Sequence, residues 1–251
     1  MQYNLDVPII AGNWKMNGLI NSQKEIKNLI NFLKNNKKNG NVIIFPPFTL
    51  ISDFKRITIN SNLGIGAQDC HYEEQGAYTG SISPMMIKDA GCTFVIVGHS
   101  EIRESRNESS GLIKKKSENC HNNNLISIIC VGEDYECRMK GEHYNFISKQ
   151  LFESIPTTAN VNNTIIAYEP IWAIGSGESA SSQDIQLMHQ HISDCLMKGK
   201  IFNNKIPNLL YGGSVNSNNS NEILSINNVN GALVGGGSLD SNEFIKIIQS
   251  I

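Results

Sequence analysis

The chain alternates short apolar runs with longer stretches in which hydrophobic residues recur at helical spacing. Eight of these runs have the length of strands and are bounded by turn residues, which predicts eight buried strands. They cover residues 9–12, 42–45, 63–67, 93–97, 125–130, 164–168, 208–211 and 232–234. The pattern therefore predicts strands that alternate with helices.

Two of the intervening stretches predict amphipathic helices, because their apolar residues return every three or four positions. These residues are Ile26, Leu29, Ile30 and Leu33 in the first stretch, and Ile185, Met188, Ile192, Cys195 and Leu196 in the second. Ser22 with Glu25, and Ser181 with Asp184, have the spacing of a capping serine and an acid in the first turn. We interpret both stripes as core-facing sides of helices.

Strands that alternate with helices form parallel sheets, since a parallel neighbour needs a crossover connection. Eight such units within 251 residues predict the α/β class and a closed (βα)8 barrel, with eight parallel strands inside and helices outside. An open, doubly wound sheet is the alternative. No linker or shift in composition divides the sequence, so residues 1–251 are expected to form a single barrel domain.

Composition narrows the classes of partner. Hydrophobic residues make up 40% and charged residues 18% of the chain, and the net charge is −2. These values are typical of a soluble globular protein and give no basic surface for nucleic acid. No apolar run approaches the ~20 residues that span a bilayer, and the N-terminus lacks the pattern of a secretory signal. We expect a cytoplasmic protein with a small-molecule partner, and neither nucleic acid nor membrane.

Residues that often bind metals do not form a recognisable site. The six cysteines are scattered without a C-x-x-C pair, which argues against a zinc site or a disulfide framework. His189 and His191 lie two apart in a helical stretch and therefore point in different directions, so no metal is predicted. The lysine run 114–116 is interpreted as a solvated helix face.

Polar residues follow several predicted strands, at the end where barrel enzymes build their sites. Asn13 and Lys15 follow the first strand, His99 the fourth and Glu169 the sixth, while glycine clusters follow the seventh and eighth. Taken singly, each has an ordinary interpretation: a surface lysine, a loop histidine, an incidental glutamate or a tight turn. Their recurrence at successive strand ends favours one shared site.

The residue types in this set are chemically complementary. A carboxylate, an imidazole and an ammonium group are what proton abstraction beside a carbonyl requires. Glycine-rich strand ends can turn backbone N–H groups towards an anion. The set therefore indicates a phosphorylated carbonyl compound as the substrate.

Six segments carry a resemblance to a known family, in the family's order. They read AGNWKMN at 11–17, VGHSE at 97–101, CVGE at 130–133, AYEPIWAIG at 167–175, YGGSV at 211–215 and VGG at 234–236. From Pro8 to the C-terminus the chain resembles the triosephosphate isomerases. The resemblance implies their TIM barrel, their interconversion of dihydroxyacetone phosphate and D-glyceraldehyde 3-phosphate in glycolysis and gluconeogenesis, and no cofactor.

The same resemblance implies roles for single residues. Glu169 would move a proton between the two carbons of an enediolate, and a neutral His99 would polarise the oxygens. Lys15 would stabilise negative charge, and Asn13 would orient the substrate. The phosphate would be held by backbone amides of Gly175, Ser214, Gly235 and Gly236.

A lid and a dimer loop are implied as well. The lid would hinge at 170–172 and 176–178 and exclude water from the intermediate. The loop at 68–84 is long for a barrel connection and matches the family's dimer loop, so a homodimer is expected, with a monomer as the alternative. The chain departs from the family at Ile102, Ser81, Asp69, Ser176 and Gly237.

Two other functions stay open at this point. Residues 175–180 fit the G-x-G-x-x-A pattern of dinucleotide-binding proteins, with Asp194 about twenty residues on. However, residues 169–174 separate the pattern from its strand, and Asp194 lies in a helical stripe. A barrel that serves only as a binding module is the other alternative, and it predicts that Glu169 can be replaced without loss of activity.

Overall fold

The structure, a computed structural model, describes residues 3–36, 40–173 and 180–251. Its eight parallel strands follow one another around a closed barrel in chain order, and the first strand pairs with the eighth. They are β1 (Ile9–Asn13), β2 (Asn41–Phe45), β3 (Leu63–Ala67), β4 (Phe94–Val97), β5 (Ile126–Val131), β6 (Thr164–Tyr168), β7 (Leu209–Tyr211) and β8 (Gly231–Val234). The predicted (βα)8 barrel is confirmed, and the open sheet is excluded.

Helices surround the strands on the outside. They are α1 (Gln23–Asn35), α2 (Phe48–Thr58), α3 (Pro84–Asp89), α4 (Ser100–Arg106), α5 (Ser110–Asn122), α6 (Tyr135–Met139), α7 (His143–Ser154), α8 (Ser182–Lys198), α9 (Ser220–Leu224) and α10 (Ser241–Ile248). Short 3-10 turns occur at Ile20–Ser22, Ile171–Ala173 and Gly236–Ser238. Within the described ranges, no helix is both long and apolar enough to cross a membrane.

The core has two layers because successive strand residues face alternately into the barrel and out towards the helices. The inner layer contains side chains such as Ile9, Ile43, Phe45, Phe94 and Ile96. The outer layer joins their strand neighbours to the apolar faces of the helices, including the predicted stripes on α1 and α8. Burial on both sides explains why the strands appear in the sequence as continuous apolar runs.

The two predicted helix starts differ in outcome. Ser181 caps α8 as predicted, and its Oγ accepts a hydrogen bond from the backbone N–H of Asp184. Ser22 precedes α1 but does not cap it, since its Oγ accepts from Leu19 instead, so that capping prediction was wrong. The Glu25 carboxylate accepts from the Ser241 N–H at 3.0 Å and from its Oγ at 2.7 Å, which ties α1 to the start of α10.

Lys116 corrects the interpretation of the lysine run. Its side chain is only 3% exposed, and its Nζ lies 2.7 Å from Asp69 and 2.6 Å from Glu108. Arg106 adds a second cation, 3.0 Å from Asp69. A buried ammonium group is stable here because it is paired with two carboxylates. The predicted solvated face was therefore wrong for Lys116.

Candidate active site

The carboxyl ends of the strands surround a cavity of about 340 Å³. Its lining includes seven of the residues noted in the sequence: Asn13, Lys15, His99, Ser214, Gly235, Gly236 and Gly237. Glu169 is buried directly beside it and touches His99. Gly175 lies outside the described residues. The fold thus brings together side chains that are more than 150 positions apart in the sequence.

Glu169 follows β6 and is aimed at the start of α4. Its Oε2 accepts a 2.9 Å hydrogen bond from the backbone N–H of Ser100, and its Oε1 lies 2.9 Å from His99 Nε2. Burial raises the pKa of this carboxyl, but attraction to His99 and the Ser100 donor outweigh burial and leave the pKa below its usual 4.5. Glu169 is therefore held ionised by groups that are not part of its own strand.

His99 occupies the position before α4, and its ring closes the helix start. The backbone N–H of Glu101 donates to Nδ1 at 3.3 Å, so Nδ1 is unprotonated and a neutral ring carries its proton on Nε2, facing Glu169. Burial lowers the pKa of His99, but the adjacent Glu169 and Glu101 carboxylates outweigh burial and raise it. The raised pKa is thus a property of the arrangement in which Glu169 rests against the ring.

Lys15 reaches the same cavity from the end of β1. Its Nζ lies 2.6 Å from Glu101 Oε1. Its backbone has φ 53°, an uncommon left-handed conformation for a residue with a side chain. Asn13 Oδ1 accepts a hydrogen bond from the Lys15 N–H at 3.1 Å. The pairing with Glu101 was not predicted, because the sequence indicates only that this residue belongs to the VGHSE segment.

Arg103 is a second neighbour of the site that no pattern in the sequence indicates. Its Nε donates to the carbonyl of Gly98 at 2.8 Å, and its Nη2 donates to the carbonyl of Cys130 at 3.0 Å. Gly98 has φ 70°, and a Cβ there would lie 3.0 Å from Arg103 Nη2. Arg103 thus fixes the turn that presents His99 and joins it to the end of β5.

The end of β7 approaches Glu169 closely. The Gly212 N–H donates to the Tyr168 carbonyl at 2.7 Å, and a Cβ on Gly212 would lie 2.9 Å from Glu169 Cγ. Ser214 continues from this turn, and Gly236 begins the 3-10 turn after β8. Glycine at 212 is therefore required by the buried carboxylate next to it.

A second buried carboxylate, Glu133, anchors the segment after Glu169. Its Oε1 accepts from the Tyr168 hydroxyl at 3.0 Å and from the Trp172 indole at 2.9 Å, and Arg138 lies 3.5 Å away. Burial raises the pKa of Glu133 although these groups act in the opposite direction. The first predicted hinge, 170–172, is thus tied to the barrel. The second, 176–178, lies outside the described residues.

Neither a metal site nor a dinucleotide site emerges from the residues described. No group of three His, Cys, Asp or Glu side chains in those ranges is arranged to hold a metal ion. Asp194 lies within α8 and accepts from Gln190 at 2.9 Å. Residues 175–179 of the G-x-G-x-x-A segment are outside the described ranges.

A closed parallel barrel whose carboxylate, imidazole and ammonium groups meet at the strand ends is a (βα)8-barrel enzyme. The triosephosphate isomerase family model matches residues 8–251 of the chain. The chain belongs to the triosephosphate isomerase family, and the resemblance seen in the sequence is confirmed.

Similar proteins span nearly the whole chain. The triosephosphate isomerase of Alkaliphilus oremlandii is 42% identical, with 96% of this chain and 98% of that protein covered. The triosephosphate isomerase of Mesorhizobium japonicum is 40% identical, with coverages of 97% and 95%. A crystal structure of triosephosphate isomerase from Bartonella henselae has a TM-score of 0.90 at 37% identity, covering 97% of this chain and 98% of that one.

Proposed function

We propose that the protein interconverts dihydroxyacetone phosphate and D-glyceraldehyde 3-phosphate by proton transfer through an enediolate, in glycolysis and gluconeogenesis. The observation that carries this proposal is the contact of Glu169 with His99 beside a cavity that also holds Lys15. Membership of the family supplies the reaction. The proposed chemistry uses neither an organic cofactor nor a metal.

Glu169 is the proposed base. In the arrangement described it rests on Ser100 and His99, and both contacts lower its pKa. When the carboxylate turns towards the substrate carbon it leaves these groups, while burial continues to favour the protonated form. Its pKa therefore rises on leaving, which makes it a stronger base at the point where it accepts the proton.

His99 and Lys15 are the proposed partners of the developing negative charge. Once Glu169 has moved, burial and the Glu101 N–H donor to Nδ1 both favour a neutral imidazole with its proton on Nε2. That proton can be shared with the substrate oxygens. Lys15 stabilises the enediolate, and Asn13 orients the substrate oxygen.

The phosphate is proposed to bind at the glycine-rich strand ends. Ser214, Gly235 and Gly236 line the cavity, and we propose that their backbone N–H groups hold the phosphate together with that of Gly175. A Cβ on Gly235 would lie 3.9 Å from Lys15 Nζ, which places the ammonium group next to this anion site. A cavity of about 340 Å³ is large enough for a three-carbon phosphate.

A homodimer formed by the loop at 68–84 is part of the proposal. Large apolar side chains near this loop are solvent-exposed in one copy of the chain. They are Met16 (97%), Phe48 (39%), Tyr78 (41%), Met85 (45%) and Met86 (51%). Burial against a second copy removes this surface from water. We further propose that residues 1–251 act as one domain and that the enzyme works in the cytoplasm.

A coupled assay tests the proposal. Purified protein should convert dihydroxyacetone phosphate to glyceraldehyde 3-phosphate, which a dehydrogenase then oxidises with a change in NADH absorbance. Specific activity should fall on dilution as dimers dissociate, and light scattering at the same concentrations should show the matching loss of mass. No conversion at high protein concentration would refute the reaction. A scattering mass of one chain at all concentrations, with full activity, would refute the dimer.

A further inference from the structure

Gln68 joins the carboxyl ends of three neighbouring strands. It is the first residue after β3, and its Nε2 donates to the carbonyl of Lys15 at 2.9 Å and to the carbonyl of Phe45 at 2.8 Å. The Phe45 carbonyl also accepts from the Trp14 N–H at 3.1 Å. One side-chain amide thus uses both of its N–H groups to connect the ends of β1, β2 and β3.

Lys15 needs such support because of its backbone. Its φ of 53° lies in the left-handed region, which is unfavourable for residues other than glycine. The Lys15 N–H donates to Asn13 Oδ1 at 3.1 Å, and its carbonyl accepts from Gln68. Both backbone polar groups of Lys15 are therefore satisfied by side chains rather than by the strand ladder.

We propose that Gln68 is a positioning residue that holds Lys15 in the left-handed conformation and so aims its ammonium group into the cavity. This inference depends on the proposed role of Lys15 in binding the anionic substrate. Glutamine suits the position because one atom must donate to two carbonyls. Methionine has a similar length but cannot donate, and an ionised glutamate would place oxygens against both carbonyls.

A double-mutant cycle separates positioning from general structural support. We would measure the affinity for 2-phosphoglycolate by titration calorimetry, because this anion carries negative charge at both the phosphate and the enediolate positions. Gln68→Met should weaken binding about tenfold in the unchanged chain, but less than about twofold in a Lys15→Met background. Such a result would show that Gln68 contributes to the binding free energy of 2-phosphoglycolate through Lys15.

Gln150→Met is the matched control. Gln150 is also a glutamine that binds backbone, since its Oε1 accepts from the Gly132 N–H at 2.7 Å, but it lies on the opposite side of the site from Lys15. Its effect on affinity should be the same in both backgrounds. A Gln68→Met effect that is also equal in both backgrounds, or absent in both, would overturn the proposal.

Crystal structures of the variants distinguish the proposed role of Gln68 from the proposed role of Lys15. In Gln68→Met, residue 15 should leave the left-handed region, whereas in Gln150→Met it should stay there. If φ of Lys15 remains positive in Gln68→Met, the positioning role is wrong whatever the affinities are. If Lys15→Met binds 2-phosphoglycolate as tightly as the unchanged chain, the proposed role of Lys15 fails, while the φ measurement still decides the role of Gln68.

Discussion

Glu169 and Glu133 are two buried carboxylates on neighbouring strand ends, and their pKa values are shifted in opposite directions. Their side chains are only 2% and 0% exposed, respectively. The pKa of Glu169 is lowered because His99 and the Ser100 N–H outweigh its burial. The pKa of Glu133 is raised because its burial outweighs the Tyr168 hydroxyl and the Trp172 indole. The identity of the partners, rather than depth, decides which carboxyl stays ionised.

The two sets of partners also differ in what they permit. The donors to Glu169 belong to α4 and its preceding residue, so the carboxylate can turn away without breaking its own strand. The donors to Glu133 are the Tyr168 hydroxyl in β6 and the Trp172 indole in the 3-10 turn, so moving this carboxylate would break the side-chain link between β5 and that turn. Glu169 is therefore placed so that it can move, whereas Glu133 is placed so that it anchors the 3-10 turn.

The largest expected difference between the two carboxylates is in the loss of turnover when each is substituted. Glu169→Gln should lower kcat by a factor of about 100 to 10,000, because an amide cannot accept the proton. It should retain the fold and most of the affinity for 2-phosphoglycolate. Steady-state kinetics in the coupled assay, with calorimetry for the anion, measures both quantities.

Glu133→Gln is the matched control, since its amide oxygen can still accept from Tyr168 and Trp172. We expect it to lose far less turnover than Glu169→Gln. Equal losses in kcat would show that the difference in partners does not assign the base. Loss of 2-phosphoglycolate binding in Glu169→Gln would show that Glu169 acts in binding rather than in proton transfer.

Glu169 and Glu133 should also differ in how each makes the stability of the fold depend on pH, which is a smaller effect. Glu169 has a folded-state pKa below 4.5, so its stabilisation is present above that pH and is lost as the pH falls and the unfolded carboxyl protonates first. Glu133 has a folded-state pKa above 4.5, so its ionisation destabilises the fold near neutral pH, and acidification relieves this cost.

Urea unfolding between about pH 7 and pH 3 covers both effects, with slopes limited to about 1.4 kcal/mol per pH unit for each group. Relative to the parent, Glu133→Gln should lose more stability between pH 7 and about pH 4.5. Glu169→Gln should lose less stability than the parent below about pH 4.5, where protonation of His99, whose pKa Glu169 raises, is already complete in the parent. The same sign for both variants would contradict the contrast. His121 and His189, whose pKa values burial lowers to about 4, make the parent itself less stable below pH 6.5, but they cancel in the comparison.

The smallest expected effect removes one donor from Glu133. Tyr168→Phe should lower the free energy of unfolding by about 1 to 3 kcal/mol at neutral pH, because the carboxylate loses a buried hydrogen bond. In a Glu133→Gln background the loss should be smaller, since a neutral amide depends less on that donor. Equal losses in the two backgrounds, measured by urea unfolding, would show that the hydroxyl does not act through Glu133.

The fold was readable from the sequence because burial on both faces of a strand leaves a continuous apolar run. All eight strand predictions agree with the structure to within one residue at each end. Predictions from local sequence patterns were wrong where a residue outside the pattern bound the same side chain. Glu25 bonds Ser241 rather than completing a capping box, and Lys116 is buried by Asp69 and Glu108.

The membership of the site was also predictable, since Asn13, Lys15, His99 and Glu169 all follow strands that end at one face of the barrel. Their mutual contacts were not. Lys15 and Glu101 are separated by 86 positions, and no periodic pattern indicates that they meet. The roles of Gln68 and Arg103 depend on which carbonyls the turns present, and turn geometry of that kind becomes visible only once the barrel has closed.

In the ion pair of Lys15 with Glu101, the Glu101 carboxylate occupies the position beside the ammonium group that an anionic ligand would take. The pair is partly open to water, with 32% of the lysine and 55% of the glutamate side chain exposed. An anion that binds the Lys15 ammonium group must therefore compete with the Glu101 carboxylate, and salt in the medium screens this exposed pair. A ligand that is also held at a second point competes with Glu101 more effectively than a simple anion does.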